Sequence, residues 1–150
     1  MGRHTEVVAR ASRIREAANA LIVRELERHG VSGIVPSHGT LLCLLYAEKD
    51  VSMCALAERL HRTRPTVTVL VDKLVALGYV TREQDPSDRR VTWVRLTDAG
   101  RALLPIFEAV SAALDSAVRR GLSDAEAATL EELLRRVQEN KGAPGVDGMK

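Results

Sequence analysis

From residue 4 to 29, apolar side chains fall at Val8, Ala11, Ile14, Ala18, Leu21, Ile22 and Leu26, the three-and-four spacing of one helical face. Gly30 and Gly33 follow and predict its end. Pro36 opens a second helical stretch with Leu41, Leu42, Leu44 and Leu45, running to about Glu48 before Lys49 and Asp50 turn the chain. Ser52 is placed to cap a short helix whose Leu56, Ala57 and Leu60 share a side. The His61–Arg62–Thr63 link leads to another helix, roughly Arg64 to Leu77, with Thr63 or Arg64 as N-cap and Pro65 in the first turn, where its missing N–H costs nothing. Its Val67, Leu70, Val71, Leu74 and Leu77 form one sealed face.

The period then changes. Tyr79–Glu83 and Val91–Leu96 alternate and are rich in β-branched residues, whereas Asp85–Pro86–Ser87–Asp88–Arg89–Arg90 between them is rich in turn formers, so a two-stranded ribbon is predicted. Thr97 reads as the cap of a long helix running through Leu103, Phe107, Val110, Leu114 and Val118 to Gly121, with Gly100 permitting a close approach and Pro105 bending it near Arg101. Ser123 with Glu126 three residues on forms a capping box for a last helix bearing Leu130, Leu133, Leu134 and Val137. Residues 139–150 show no apolar pattern and are expected to be a disordered tail.

The expected fold class is mainly α (α+β): a winged helix-turn-helix over about 36–97, flanked by long N- and C-terminal dimerisation helices at about 4–29 and 97–138, all in one domain spanning 1–138. The flanking stripes are more apolar surface than a small reading head covers, which predicts pairing with a second copy about a two-fold axis. With 150 residues, 45% hydrophobic and 28% charged, the composition is that of a globular chain, without an apolar run long enough to span a membrane, and a cytoplasmic location is expected. The net charge of +2 says little about nucleic acid, but its distribution says more. Between Ala55 and Arg101 lie nine basic and six acidic residues, against 13 and 14 elsewhere.

On the helix from Arg64 the face opposite the sealed one bears Arg64, Thr66, Thr68, Val69, Asp72 and Lys73, side chains suited to base edges and phosphates in a major groove. Arg62 precedes it in the link. Arg89 and Arg90 stand at the ribbon tip, where arginine suits a narrow, negative minor groove. Double-stranded DNA is the expected partner.

TVTVLVDKL, GYVTR, DPSDRR and LTDAG, in this order and spacing, resemble the DNA-binding core of the MarR (multiple antibiotic resistance regulator) family of transcriptional regulators. The resemblance extends more loosely over about residues 5–138. It implies a homodimeric winged helix-turn-helix repressor acting on an inverted repeat and released by a small-molecule effector, apolar or aromatic and anionic, or by thiol oxidation. It assigns Arg64, Thr66, Thr68 and Val69 to the groove-facing helix start, Arg90 to the minor groove, and Asp88 to bracing it. Where the family pattern commonly has arginine, this chain has Val69.

Cys43 and Cys54, beside leucines on predicted helices, are expected to be buried free thiols, with an oxidant-sensing repressor as the alternative. His4, His29, His38 and His61 show no metal-ligand spacing and are expected to be exposed and without contacts. No phosphate-binding loop or nucleophile pattern is present, so neither an enzyme nor a cofactor is expected. Asp72 is expected to cap or to pair with an arginine, and Trp93 to pack on its strand. The rival from another class is a winged-helix protein-interaction module without DNA binding.

Overall fold

The computed structural model describes residues 4–140. In chain order the elements are α1 (His4–Arg28), α2 (Pro36–Ala47), β1 (Asp50–Ser52), α3 (Met53–Arg59), α4 (Arg64–Ala76), β2 (Val80–Gln84), β3 (Thr92–Leu96), α5 (Asp98–Ala102), α6 (Leu104–Arg119) and α7 (Asp124–Glu139). The fold is a mainly helical winged helix-turn-helix. The expected tail lies outside the described residues from position 141 on; α7 itself reaches Glu139.

The helix ends are made by local chemistry. α1 closes with Val31 N–H donating to Leu26 O and Gly30 N–H to Glu27 O, and α4 closes the same way with Tyr79 to Leu74 and Gly78 to Val75. In the helix-turn-helix link this closure falls on a non-glycine residue: His61 adopts φ 50°, while Arg62 N–H reaches Ala57 O. Ser52 accepts from Ala55 N–H to cap α3, and Ser123 and Glu126 exchange bonds of 3.1 and 2.8 Å to cap α7.

The core gathers Leu41, Leu42 and Leu45 of α2, Leu56 of α3, Val67, Val71 and Leu74 of α4, and Val80 and Val94 of the sheet, none more than 2% exposed. Burying each such side chain contributes about 1.5–3 kcal/mol. Leu26 of α1 and Phe107 and Val110 of α6 complete it. Contacts divide the chain into two compact units, with the boundary inside α6 after Leu114.

Four expectations are corrected. The sheet has three strands in the order β1–β3–β2, not two: Asp50, expected in a turn, pairs with Arg95, and Val51 with Val94. The single bent helix after Thr97 is two helices separated at Leu103, because Pro105 has no N–H to continue the ladder and α6 restarts with Phe107 N–H on Leu103 O. Cys43 and Cys54 are exposed, not buried. His38, expected to be exposed, is buried, and its Nδ1 accepts from Val35 N–H at 3.1 Å, holding the start of α2.

The α4–β2 corner and the start of α5 are joined at one point. Thr97 Oγ1 donates to Gly78 O at 2.6 Å and accepts from Gly100 N–H at 3.0 Å, while Thr97 N–H donates to Tyr79 O at 3.0 Å. A Cβ on Gly100 would stand 2.1 Å from Tyr79 O. Tyr46 O–H donates to Gly100 O at 2.7 Å, and its pKa is pushed up to about 12 by burial, with the Cys43 thiol and Tyr79 adding to it.

Two measurements check this packing. Gly100→Ala drives a methyl into a backbone carbonyl and is expected to lower the stability read from denaturant midpoints by about 1–3 kcal/mol or more. His38 is held below its ordinary 6.5 by burial first and then by Lys73. Below that pH the unfolded chain takes a proton the folded one resists, so this contribution is complete above about 6.5 and lost as pH falls further. The melting temperature is expected to drop from pH 7 to pH 5, and to drop less in His38→Asn, whose side-chain carbonyl still accepts from Val35.

Candidate nucleic-acid interface

With Val67, Val71 and Leu74 turned inward, α4 must show its other side to solvent: Arg64, Thr66, Val69, Asp72 and Lys73 are exposed and Thr68 is half-buried. Thr63 is the N-cap, but its hydroxyl pairs with that of Thr66 at 2.9 Å and not with the backbone. Thr68 Oγ1 donates back to Arg64 O at 2.9 Å. Asp72 forms an ion pair with Arg82 of β2, fastening the exposed side of the helix to the wing.

Arg64 and Thr68 share an open cleft of about 360 Å³ with Arg82 and Gln84 of β2, Thr92 of β3 and Met53. Helix start and wing therefore present one continuous polar surface. Arg82, Gln84 and Thr92 were not among the residues expected from sequence. Two-residue alternation along β2, which puts Arg82 and Gln84 on one face opposite Val94 and Thr92, was the available signal.

The wing is shaped by Asp85. One carboxylate oxygen accepts from Ser87 N–H at 2.8 Å and Asp88 N–H at 3.1 Å, and the other from the Trp93 indole at 2.8 Å. These bonds, the indole's foremost, hold its pKa below the usual carboxylate value. Trp93, half-buried on β3, thus anchors the loop through its indole N–H.

Asp88 grips Arg90 in two-pronged fashion, from Nε and from a terminal nitrogen at 3.0 Å each, and accepts the Arg90 backbone N–H at 3.1 Å. Hydrogen bonding lowers the Asp88 pKa and raises that of Arg90. The Arg90 side chain is nonetheless 90% exposed. A guanidinium has five N–H donors, so three still point outward from a head fixed in orientation. Arg89 is exposed beside it, its carbonyl held by Gln84.

The remaining expected residues stand apart from this surface. Lys73 runs over Gly33, where an added Cβ would meet its Cε at 3.8 Å, so its ammonium lies beside the α1–α2 connection. Arg62 lines a small cavity with Ser37, Thr40, Leu60 and Leu70.

Two further clefts flank the core. One, about 390 Å³, is lined by Ile22, Leu26, Phe107 and Val110 and includes Cys43, whose thiol burial pushes up. The other, about 620 Å³, has Leu45, Tyr46, Leu96 and Leu104 with Lys49, Arg95 and Arg101. Arg95 is held by Asp50 at 2.5 Å and Glu83 at 2.7 Å. Among the described residues no cluster of three or more His, Cys, Asp or Glu is arranged to hold a metal ion, and no helix is long and apolar enough to cross a membrane.

The sequence profile of the MarR family matches residues 34–92. The HTH-type transcriptional regulator MhqR of Bacillus subtilis (strain 168) is 30% identical over 127 residues, covering 84% of this chain and 85% of that protein. The chain belongs to the MarR family. A MarR transcriptional regulator from Methanosarcina mazei Go1 superposes with a TM-score of 0.78 at 26% identity, over 91% of this chain and 96% of that one. A cysteine-to-serine mutant of MarR from Escherichia coli, solved with operator DNA, gives 0.79 at 24% identity over 91% and 99% of the two chains, a likeness of fold. MarR-family proteins are DNA-binding transcription factors and not enzymes, and this chain is a transcriptional regulator of that family.

The geometry of its wing has a direct test. Asp85→Ala removes the acceptor of two loop amides and of the indole, and is expected to speed hydrogen exchange at Ser87 and Asp88 and to shift the emission of Trp93, the only tryptophan, while β2–β3 pairing survives.

Proposed function

We propose that this MarR-family regulator is a cytoplasmic, ligand-responsive repressor that binds an inverted-repeat operator as a homodimer. The observation that carries the reading is the single open cleft joining the start of α4 to the wing strands, with the braced Arg90 at the wing tip. In this reading Arg64, Thr66, Thr68 and Val69 meet base edges in the major groove. Arg90, held by Asp88, reaches the minor groove with Arg89 on phosphate beside it, and Arg62 and Lys73, outside the cleft, would meet phosphates beyond its edge.

Residues 36–97 then form the reading head of one domain spanning 1–138, and the helices of 4–29 and 97–138 pair with those of a second copy. Val8 and Ile14 of α1 are 67% and 62% exposed, and Leu133 and Leu134 of α7 are 48% and 51% exposed, apolar surface that a two-fold partner would cover. Two recognition helices related by such an axis suit half-sites about 34–36 Å apart.

Release follows from an effector that alters this separation. The cleft of Leu45, Tyr46, Leu96 and Leu104, rimmed by Lys49, Arg101 and the Arg95–Asp50 ion pair, suits a small molecule with an apolar body and an anionic group that Lys49 would meet. Exposure of Cys43 and Cys54 favours the oxidant-sensing alternative, but a Cys43 thiol pushed up in pKa is less nucleophilic than an activated one. Val69, 69% exposed, favours the protein-interaction module, and the solvent-facing donors of Arg90 oppose it.

Gel shifts of the chain's own upstream DNA over a range of salt test the reading. A band that weakens steeply with salt is expected, and Arg90→Ala is expected to lose about tenfold to a hundredfold in affinity with an unchanged circular dichroism spectrum. Equal affinity in that variant removes the wing from the groove.

A further inference from the structure

We propose that Val69 determines sequence specificity by reading the C5 methyl group of thymine, so that each operator half-site carries a thymine under the centre of α4. This rests on the reading of α4 as the element in the major groove.

Val69 is 69% exposed and sits opposite the buried Val67, Val71 and Leu74, so it is the side chain that a groove floor meets when the helix lies along it. A β-branched residue in a helix is confined to one dominant rotamer, so its two methyl groups are presented in fixed positions with little ordering cost on contact.

The polar neighbours do not compete for guanine. The Thr68 hydroxyl already donates to Arg64 O, and the Thr63 and Thr66 hydroxyls pair with each other, which leaves one free O–H between the two. Asp72 offers only acceptors and is tied to Arg82. Guanine shows two acceptors in the major groove, and thymine shows one acceptor and a methyl. Lys73, one turn on, has its ammonium beside Gly33, so no residue next to Val69 presents the paired donors that guanine takes, while the methyl group of Thr66 lies one turn earlier. Arg64 at the helix start remains the residue able to donate to guanine, which places any guanine toward the end of the half-site where α4 begins.

A uracil exchange isolates the methyl, since deoxyuridine keeps every hydrogen-bonding group of thymidine and lacks only that carbon. The full chain selects duplexes from a random-sequence DNA library, the recovered sequence is footprinted, and each protected thymidine is replaced in turn by deoxyuridine. At one position per half-site the wild-type protein is expected to lose about fourfold in affinity, the worth of one buried methyl. Val69→Ala, with an unchanged melting temperature, is expected to bind the thymidine duplex about as weakly as the wild type binds the deoxyuridine one, and to be indifferent to the exchange there.

Wild-type binding that ignores uracil at every protected position overturns the proposal while leaving DNA binding in place. Equal sensitivity of Val69→Ala and wild type at the same position also overturns it, because another group then reads the methyl. If no duplex is enriched and none is bound in a salt-dependent way, the major-groove reading fails and this inference fails with it.

Discussion

Sealing one side of α4 is the constraint on which the rest of the structure depends. Val67, Val71 and Leu74 are withdrawn from water against Leu41, Leu42 and Leu56. A thirteen-residue helix with three such positions has no freedom to roll about its axis, because any rotation would bring apolar surface out and draw charge in. Arg64, Thr66 and Val69 are therefore aimed outward by the core itself. Hydrophobic burial supplies the stability, and by exclusion it also decides which side chains of α4 face solvent.

The wing solves a different problem: holding a charged side chain outward on a short loop. A solitary exposed arginine samples many rotamers and loses that freedom on contact. Here Asp85 fixes the loop through two amides and an indole, and Asp88 fixes the guanidinium through two of its donors. The two carboxylates act in series, one shaping the backbone and the other aiming the side chain. Part of the ordering that a contact by Arg90 would require is thereby made during folding.

Features written into a few neighbouring residues were legible in the sequence. The caps at Ser52, Thr97 and Ser123, the glycine-terminated end of α1, and the inward face of α4 all depend on spacings of a few residues. What escaped was set by distant partners. β1 is three residues long and becomes a strand only because Val51 meets Val94, more than forty positions away. His38 is buried because the α1–α2 connection and Lys73 close around it. Adjacency to leucine does not bury a cysteine, because successive side chains on a helix point about 100° apart. Leu42 and Leu45 face inward while Cys43 does not, and Met53 and Leu56 do while Cys54 does not. In the polar cleft, Arg64 and Thr68 were visible, whereas Arg82, Gln84 and Thr92 required knowing that the ribbon folds back alongside the helix.

The knot formed by Thr97, Gly78, Tyr79 and Gly100 ties peptide to peptide, with a hydroxyl and a bare α-carbon in place of interleaved side chains. Such a weld has almost no slack. The start of α5, the last turn of α4 and the root of β2 are thus joined backbone to backbone, with no side chain of the core standing between them.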